Sequence, residues 1–348
     1  MFRFDPVTKK RWNRFRSIKR GYYSFVLFLL LLVVTVLGEC FVNGRALLVS
    51  YEGKLYFPTY GGIIPGKVFG FDYDYETNYR DLQKRLAGEA PGFVVMPLIP
   101  WNPYELDLPE GRYPPFPPDF ENRHLLGTDT SGRDVLARLF YGFRTAIIFS
   151  LLLLLSTYLV GVTIGCIMGY YGGWFDLLFQ RLIEIWTNIP YLYVIVIVSS
   201  ILVANFYTLL GIMIFFGWTS MTWYMRTMTL KEKSREYVLA ARALGASPAR
   251  TIFRHILPNA ISVIVTFVPF AVNSGIVGLT SLDYLGFGLP APTPSWGELI
   301  RQGIENMGEA QWIIVSVVMA MVVVLSMVAF IGEAVREAYD PKKYTVYE

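Results

Sequence analysis

The sequence predicts an all-α integral membrane protein with about six transmembrane helices and a small mixed external lobe between spans one and two. Three observations predict it. Hydrophobic residues make up 54% of the 348-residue chain and charged residues only 17%, against roughly 25% charged in an ordinary soluble domain. The apolar residues fall into runs near the ~20 residues that span a bilayer core. The cations cluster at the ends of those runs.

The spans are read at Tyr22–Gly38, Ala146–Met168, Arg181–Ala204, Phe206–Met225, Ala260–Leu282 and Trp312–Gly332. A soluble core helix rarely runs that far without a charge. One basic cluster fills residues 1–20, from Arg3 to Arg20; a second runs from Arg226 to Arg254. The positive-inside rule puts both in the cytoplasm. That requires an even number of spans between them, and four lie there. Residues 46–143 carry 13 Asp/Glu against 9 Lys/Arg, as an external segment can. The expected organisation is a cytoplasmic amphipathic helix at 1–20, span one within 21–42, an external insertion with a lead-in helix at 43–143, and a five-span core at 144–341. Both termini are then cytoplasmic.

Trp12, Phe15 and Ile18 among cations read as an amphipathic helix lying on the inner face, against the alternative of a disordered basic tail. A cleaved leader is the rival for span one, but its apolar run is long and no small-residue cleavage site follows. Within the insertion, Leu47–Tyr51 and Lys54–Phe57 around Glu52-Gly53 read as a hairpin, with a further short strand at Val94–Pro97. The Pro-dense stretch Tyr113–Pro118 is extended. Asp129–Ser131 offer capping side chains ahead of an apolar stripe (Val135, Leu136, Leu139, Phe140) that leads into span two. The Gly- and Pro-rich segment Asp283–Gln311 needs protein or water around its backbone.

The loop Lys231–Asn259 reads as two short helices at a glycine joint. Arg235–Leu244 holds good helix formers, and Gly245 is a natural left-handed stop. Ser247 caps a second helix with Pro248 in its first turn. Pro258 is expected to end that helix and help start span five. Small residues on an exposed helix let another backbone approach closely, the logic of a docking element; an ordinary solvated loop is the bland alternative.

Other chemistry is sparse. No GxxxxGK(S/T) phosphate loop occurs, so no standard nucleotide cradle is present. His124 and His255 are far apart, and Cys40 and Cys166 are placed near opposite membrane faces, too far for a disulfide. No nucleophilic triad or HExxH motif appears, which argues against an enzyme. The basic clusters flank spans and form no extended face for nucleic acid. Ionisable residues avoid mid-bilayer positions, where burial demands a function. That argues against the main alternative, an ion-coupled secondary transporter. The polar residues are too few for a channel stripe. Asn188-Ile-Pro190 breaks span three and serves as a hinge or pathway element, or equally as a tolerated kink.

The stretch Glu236-Tyr-Val-Leu-Ala-Ala-Arg-Ala-Leu-Gly-Ala-Ser-Pro248, followed by Phe253-Arg-His-Ile-Leu-Pro-Asn259, resembles the EAA loop of binding-protein-dependent ABC-transporter permeases, whose core is MetI-like. Leu126–Arg144, Gly169–Gly173, Leu285–Gly297 and Gly332–Pro341 resemble the dipeptide/oligopeptide branch. Arg11–Arg16 and Tyr51–Pro58 resemble its YejE-type subgroup of microcin C and peptide importers. The resemblance implies a permease subunit in the bacterial inner membrane moving peptides or peptide-like compounds by alternating access. It implies ATPase coupling through Glu236, Ala240, Ala241, Gly245, Ala246, Ser247, Leu257 and Pro258. The implied partners are a second homologous permease, ATPase subunits on loop 231–259, an external solute-binding protein and the lipid bilayer. No cofactor is implied on this chain; ATP and Mg belong to the ATPase. Leu239 stands where the family places Glu.

Overall fold

The computed structural model describes residues 6–87, 92–202 and 205–340. Arg3 of the first basic cluster, Ala204 at the expected end of span three and Pro341 at the expected end of the core lie outside the described residues. The chain opens with α1 (Pro6–Ser17), α2 (Lys19–Val36) and α3 (Gly38–Phe41). The lobe follows, with β1 (Leu48–Tyr51), β2 (Lys54–Tyr56), α4 (Tyr79–Leu86) and β3 (Gly92–Val95). The core holds α5 (Val135–Tyr171), α6 (Gly173–Thr187), α7 (Tyr191–Ile201), α8 (Phe206–Gly217) and α9 (Thr219–Lys233). It continues through α10 (Glu236–Ala243), α11 (Pro248–Arg250), a π-helical turn (Thr251–Ile256), α12 (Leu257–Tyr284), α13 (Trp296–Glu305) and α14 (Gln311–Tyr339).

Five helical stretches are long and apolar enough to cross a bilayer, and a sixth crossing is made if α6 and α7, bent by 63° at Asn188–Pro190, count as one. The break has a local cause. Pro190 lacks the N–H that would continue the ladder, and its ring disfavours helix for the residue before it. The helices also run beyond the apolar stretches. α5 starts at Val135 because Asp134 caps it, accepting from the Ala137 N–H at 2.7 Å. The cap expected from Asp129–Ser131 is thus supplied by Asp134. Asp129 instead turns its own loop, accepting from the N–H groups of Ser131 and Arg133.

α1 is helical, and its Phe15 is buried on Ala334 and Ala338 of α14. Arg11 sits 4.6 Å over the Tyr339 ring. The lobe sheet has order β2-β1-β3, all antiparallel. Glu52 and Gly53 both take positive φ, 47° and 73°, in the hairpin turn, matching the handedness a two-residue hairpin needs. Val49, Phe69, Tyr79, Leu82 and Val94 form the lobe core.

Two contacts set the bundle. Gly161, Gly165 and Gly169 on α5 repeat every fourth residue, so they share one face. A Cβ at these positions would lie 2.6, 2.5 and 2.6 Å from the backbone oxygens of Trp218, Thr222 and Arg226. Small residues at such spacing let membrane helices approach closely. At the end of the bundle beside the lobe, Arg138 is fully buried and donates to the carbonyls of Pro103, Pro292 and Thr293. Its Nε lies 3.3 Å from Asp129. Trp296 of α13 donates to the Leu139 carbonyl at 2.9 Å. The loops outside the bundle are thereby tied to the first turns of α5.

Candidate coupling element

Between α9 and α12 the chain leaves the bundle at the end opposite the lobe. α10 ends in a glycine cap. Gly245 adopts φ 83°, its N–H bonds the Arg242 carbonyl, and the Ala246 N–H bonds that of Ala241, each at 3.0 Å. These two bonds are the Schellman pattern. Ser247 then accepts from the Arg250 N–H at 3.3 Å, with Pro248 in the first turn. The glycine joint and the serine cap stand where the sequence places them.

The structure differs at Pro258. It ends no helix: the chain is helical without a stop from Pro248 to Tyr284. The Leu257 N–H bonds the Ile252 carbonyl, five residues back, closing a π turn just before the proline. That wider turn shifts the hydrogen-bond register before Pro258, which falls in the first positions of α12, where a missing N–H is tolerated.

One face of the element is anchored and the other is free. Val238 is fully buried and packs in a cluster with Tyr170, Met225, Ile252 and Ile256. Tyr237 donates to Glu232 at 2.7 Å and accepts from Asn259 at 3.1 Å, joining α9, α10 and α12. Partial burial and the Glu232 carboxylate push the Tyr237 phenol up to about 12. Glu236, Ala240, Gly245, Ser247 and Pro258 are exposed. Ala241, Ala246 and Leu257 are half-buried. Leu239 is 50% exposed and Leu244 89%. An apolar tip on a rigid, anchored knob is suited to insertion into a groove.

Two supports were not legible as site residues. Val238 is one apolar position in a helix otherwise rich in small residues; its partner Ile252 lies across the joint. Asp176 of α6 forms a bidentate pair with Arg226 of α9, both bonds 2.6 Å, across 50 residues of sequence. Arg181 and Glu184 pair one turn apart on α6, at 2.5 Å. Asn188 and Pro190 lie at the α6–α7 break and are exposed. Among the described residues they share no hydrogen bond with the coupling element; Asn188 bonds the Glu184 carbonyl. A cavity of about 300 Å³ opens between α5, α8, α9 and α12, with Thr157, Tyr158, Ser220, Tyr224, Phe267 and Ser274 on its wall. Among the described residues no group of three or more His, Cys, Asp or Glu is placed to hold a metal ion.

Residues 161–343 match the family described as binding-protein-dependent transport system inner membrane component. The chain is 41% identical to the inner membrane ABC transporter permease protein YejE of Escherichia coli K12, over 99% of both chains. It is 40% identical to the peptidoglycan transport system permease protein YejE of Agrobacterium fabrum, over 98% of this chain and 94% of that one. It is 36% identical to the oligopeptide transport system permease protein OppC of Lactococcus lactis IL1403, over 64% of this chain and 77% of that one. An apolar bundle of this span number, a small-residue helix pair projecting from one end of it and these matches agree: the chain belongs to the binding-protein-dependent transport system inner membrane components, the permease subunits of ABC importers.

Proposed function

We propose that this permease moves peptides or peptide-like compounds, microcin C-type compounds among them, into the cytoplasm by alternating access. The observation that carries the reading is the anchored, exposed, glycine-jointed knob at residues 231–259, on a chain whose relatives are named as oligopeptide and dipeptide permeases. The named compounds differ among relatives; one is a peptidoglycan transport permease. Peptides are the solutes named for the oligopeptide and dipeptide permeases.

In this reading the chain sits in the bacterial inner membrane with both termini inside. It pairs with a second homologous permease and receives solute from an external solute-binding protein. The ATPase subunits bind ATP and Mg and grip the exposed side of α10 and the joint. Glu236, Ala240, Ala241, Gly245, Ala246, Ser247, Leu257 and Pro258 form the gripped surface and its hinge-free support. This chain performs no bond chemistry. Closure of the ATPase pair pushes the knob. Val238 and the Tyr237 bridge pass the push to α9 and α12, and the cavity between these helices and α5 changes shape. Asn188 and Pro190 absorb bending where α6 meets α7.

Replacing Gly245 tests the reading. A Cβ there meets nothing within 4 Å, so Gly245→Ala adds only left-handed strain, about 1–2 kcal/mol. Gly245→Trp adds bulk on the gripped face. Both variants should reach the membrane, and Gly245→Trp should abolish ATP-driven uptake into reconstituted vesicles. Wild-type uptake by Gly245→Trp would count against the coupling role.

A further inference from the structure

The first helix carries a face that the transport reading does not use. α1 lies beside the start of one membrane-length helix, α2, and the end of another, α14. The chain turns at Ile18, whose φ of −83° and ψ of 82° are not helical, so α1 leaves the direction of α2. The two long helices meet closely here. A Cβ on Gly21 would lie 2.1 Å from Ala334 Cβ and 2.9 Å from the Phe330 oxygen. Arg20 pairs with Glu333 at 3.1 Å. Paired charges at this level, with long apolar chain on one side of it, set α1 at the boundary between bilayer core and headgroups.

The residues of α1 divide between two surfaces. Phe15 is 6% exposed and packs on Ala334 and Ala338. Arg14 donates to the Asp340 carbonyl at 3.3 Å. That side belongs to the protein. Lys9, Trp12, Asn13 and Arg16 recur at i, i+3, i+4 and i+7 and so share one face, and all four are exposed. The apolar edge expected from Trp12, Phe15 and Ile18 is therefore split: Phe15 and Ile18 pack on the protein, and Trp12 is 48% exposed. Trp12 meets Phe25 of α2 edge-on, with 6.2 Å between ring centres. From there the exposed Val26, Leu29, Leu30 and Val33 continue along α2. Trp12 is thus the polar-end margin of a surface that a span shows to lipid.

Charge selects the occupant of this face. Seven Lys and Arg, and no Asp or Glu, lie between residues 6 and 20. Among the described residues neither Lys9 nor Arg16 forms an ion pair, and Arg16 lies 5.7 Å over the Tyr22 ring. An indole set among exposed cations at the edge of a span is the composition of helices that hold headgroups. A choline or ethanolamine would add a cation beside two others; a headgroup with net negative charge would not. We propose that the Lys9–Trp12–Asn13–Arg16 face binds an anionic phospholipid. Lys9 and Arg16 pair with its phosphate, the Asn13 amide donates to a phosphate or glycerol oxygen, and the Trp12 ring packs on the first methylenes of the acyl chains. The inference is independent of which solute the permease moves.

The test titrates a fluorescent phosphatidylglycerol onto the detergent-purified permease complex, with unlabelled phosphatidylglycerol, phosphatidylcholine or glycerol phosphate as competitor. Phosphatidylglycerol should compete at least tenfold better than the other two. Lys9→Gln and Arg16→Gln should each weaken binding about fivefold, as for one cation at a lipid surface, and together more. Lys9→Arg with Arg16→Lys keeps both charges and should bind like the wild type. Lys84→Gln, an exposed cation of the lobe, is the control and should change nothing. Equal competition by phosphatidylcholine would make the contact merely apolar and overturn the proposal. Equal competition by glycerol phosphate would show a phosphate site without a lipid and do the same. So would wild-type binding by the double Gln variant, whether or not that variant retains less ATPase subunit on purification; a loss of retained ATPase with lipid binding intact would assign the face to the ATPase instead.

Discussion

Gly165 marks the tightest approach between α5 and α9. An ideal Cβ there falls 2.5 Å from the Thr222 oxygen, 2.8 Å from Met225 Cβ and 3.0 Å from the Arg226 nitrogen. Two of the three are backbone atoms, so no side-chain rotation relieves them. Ordinary heavy-atom contact begins at about 3.5 Å, so α5 and α9 would have to part by about 1 Å. Overpacking of this kind costs about 1–3 kcal/mol. Alanine returns at most about 1 kcal/mol through its better helix propensity. Gly165→Ala should therefore destabilise the permease by about 1–2 kcal/mol, and Gly165→Leu by more. Gly211→Ala on α8 is the control, since a Cβ there meets nothing within 4 Å. The assay is the thermal midpoint of the detergent-purified complex, with ATP-driven uptake in vesicles alongside it. The midpoint should fall in the order Gly211→Ala, Gly165→Ala, Gly165→Leu, with uptake falling in step. A Gly165→Ala protein as stable and as active as Gly211→Ala would refute close helix approach as the seal between α5 and α9.

Breaking the Asp176–Arg226 pair with Arg226→Ala should cost about 3 kcal/mol, because it strands a buried carboxylate; a charge-swapped double variant should recover part of that loss in the same midpoint assay. Tyr237→Phe removes two hydrogen bonds at a partly exposed site and should cost about 1–2 kcal/mol. It should leave ATPase activity in place while lowering solute moved per ATP, which a coupled uptake and phosphate-release assay reads. The raised Tyr237 phenol adds stability that is full below the ordinary phenol value of about 10 and declines as pH rises towards its folded value of about 12. An alkaline unfolding series should show a smaller loss in Tyr237→Phe than in the wild type, the difference being the share of Tyr237. Leu239→Glu restores the residue the family places there. At a half-exposed position it should change stability by no more than about 0.5 kcal/mol, and it should strengthen ATPase binding in a pull-down titration.

What the sequence carried plainly was local chemistry. Long apolar runs follow from the bilayer's own requirement, so the spans can be found without tertiary knowledge. Glu52-Gly53 and Gly245 mark turns because positive φ is a property of single residues and their neighbours. The Ser247 cap needs only residues three apart. Features made by distant partners stayed hidden. Asp176 meets Arg226 across 50 residues. Arg138 looks like one cation on an apolar stripe until the loops at Pro103 and Pro292 close over it. Pro258 misled for a different reason: a proline reads as a stop, yet a π turn ahead of it carries the helix through. Asp129 misled because it and Asp134 are both good capping residues in one loop, and only tertiary pairing with Arg133 and Arg138 assigns them different work.

These contacts distribute stiffness unevenly, and the distribution bears on how a push would travel. α5 has 37 residues, about 55 Å at 1.5 Å per residue. At its C-terminal end Tyr170 and Cys166 pack in the cluster that holds Val238. Along its length the glycine face is pressed on α9. At its N-terminal end Arg138 and Leu139 hold the loop before α13 and Trp296 itself. No proline interrupts it. By contrast, α6 and α7 are bent by 63°, and α12 carries Pro269 within it. A displacement of the knob would thus be carried by α5 and α9 as one body and would arrive at the loops of the lobe end little diminished, while the α6–α7 break takes up the strain. In that arrangement the same motion that moves the knob also moves the loops beside Arg138 at the opposite end. Alternating access needs that coupling between the two ends, and a bundle loosened at Gly165 would lose it even with every residue of the knob intact.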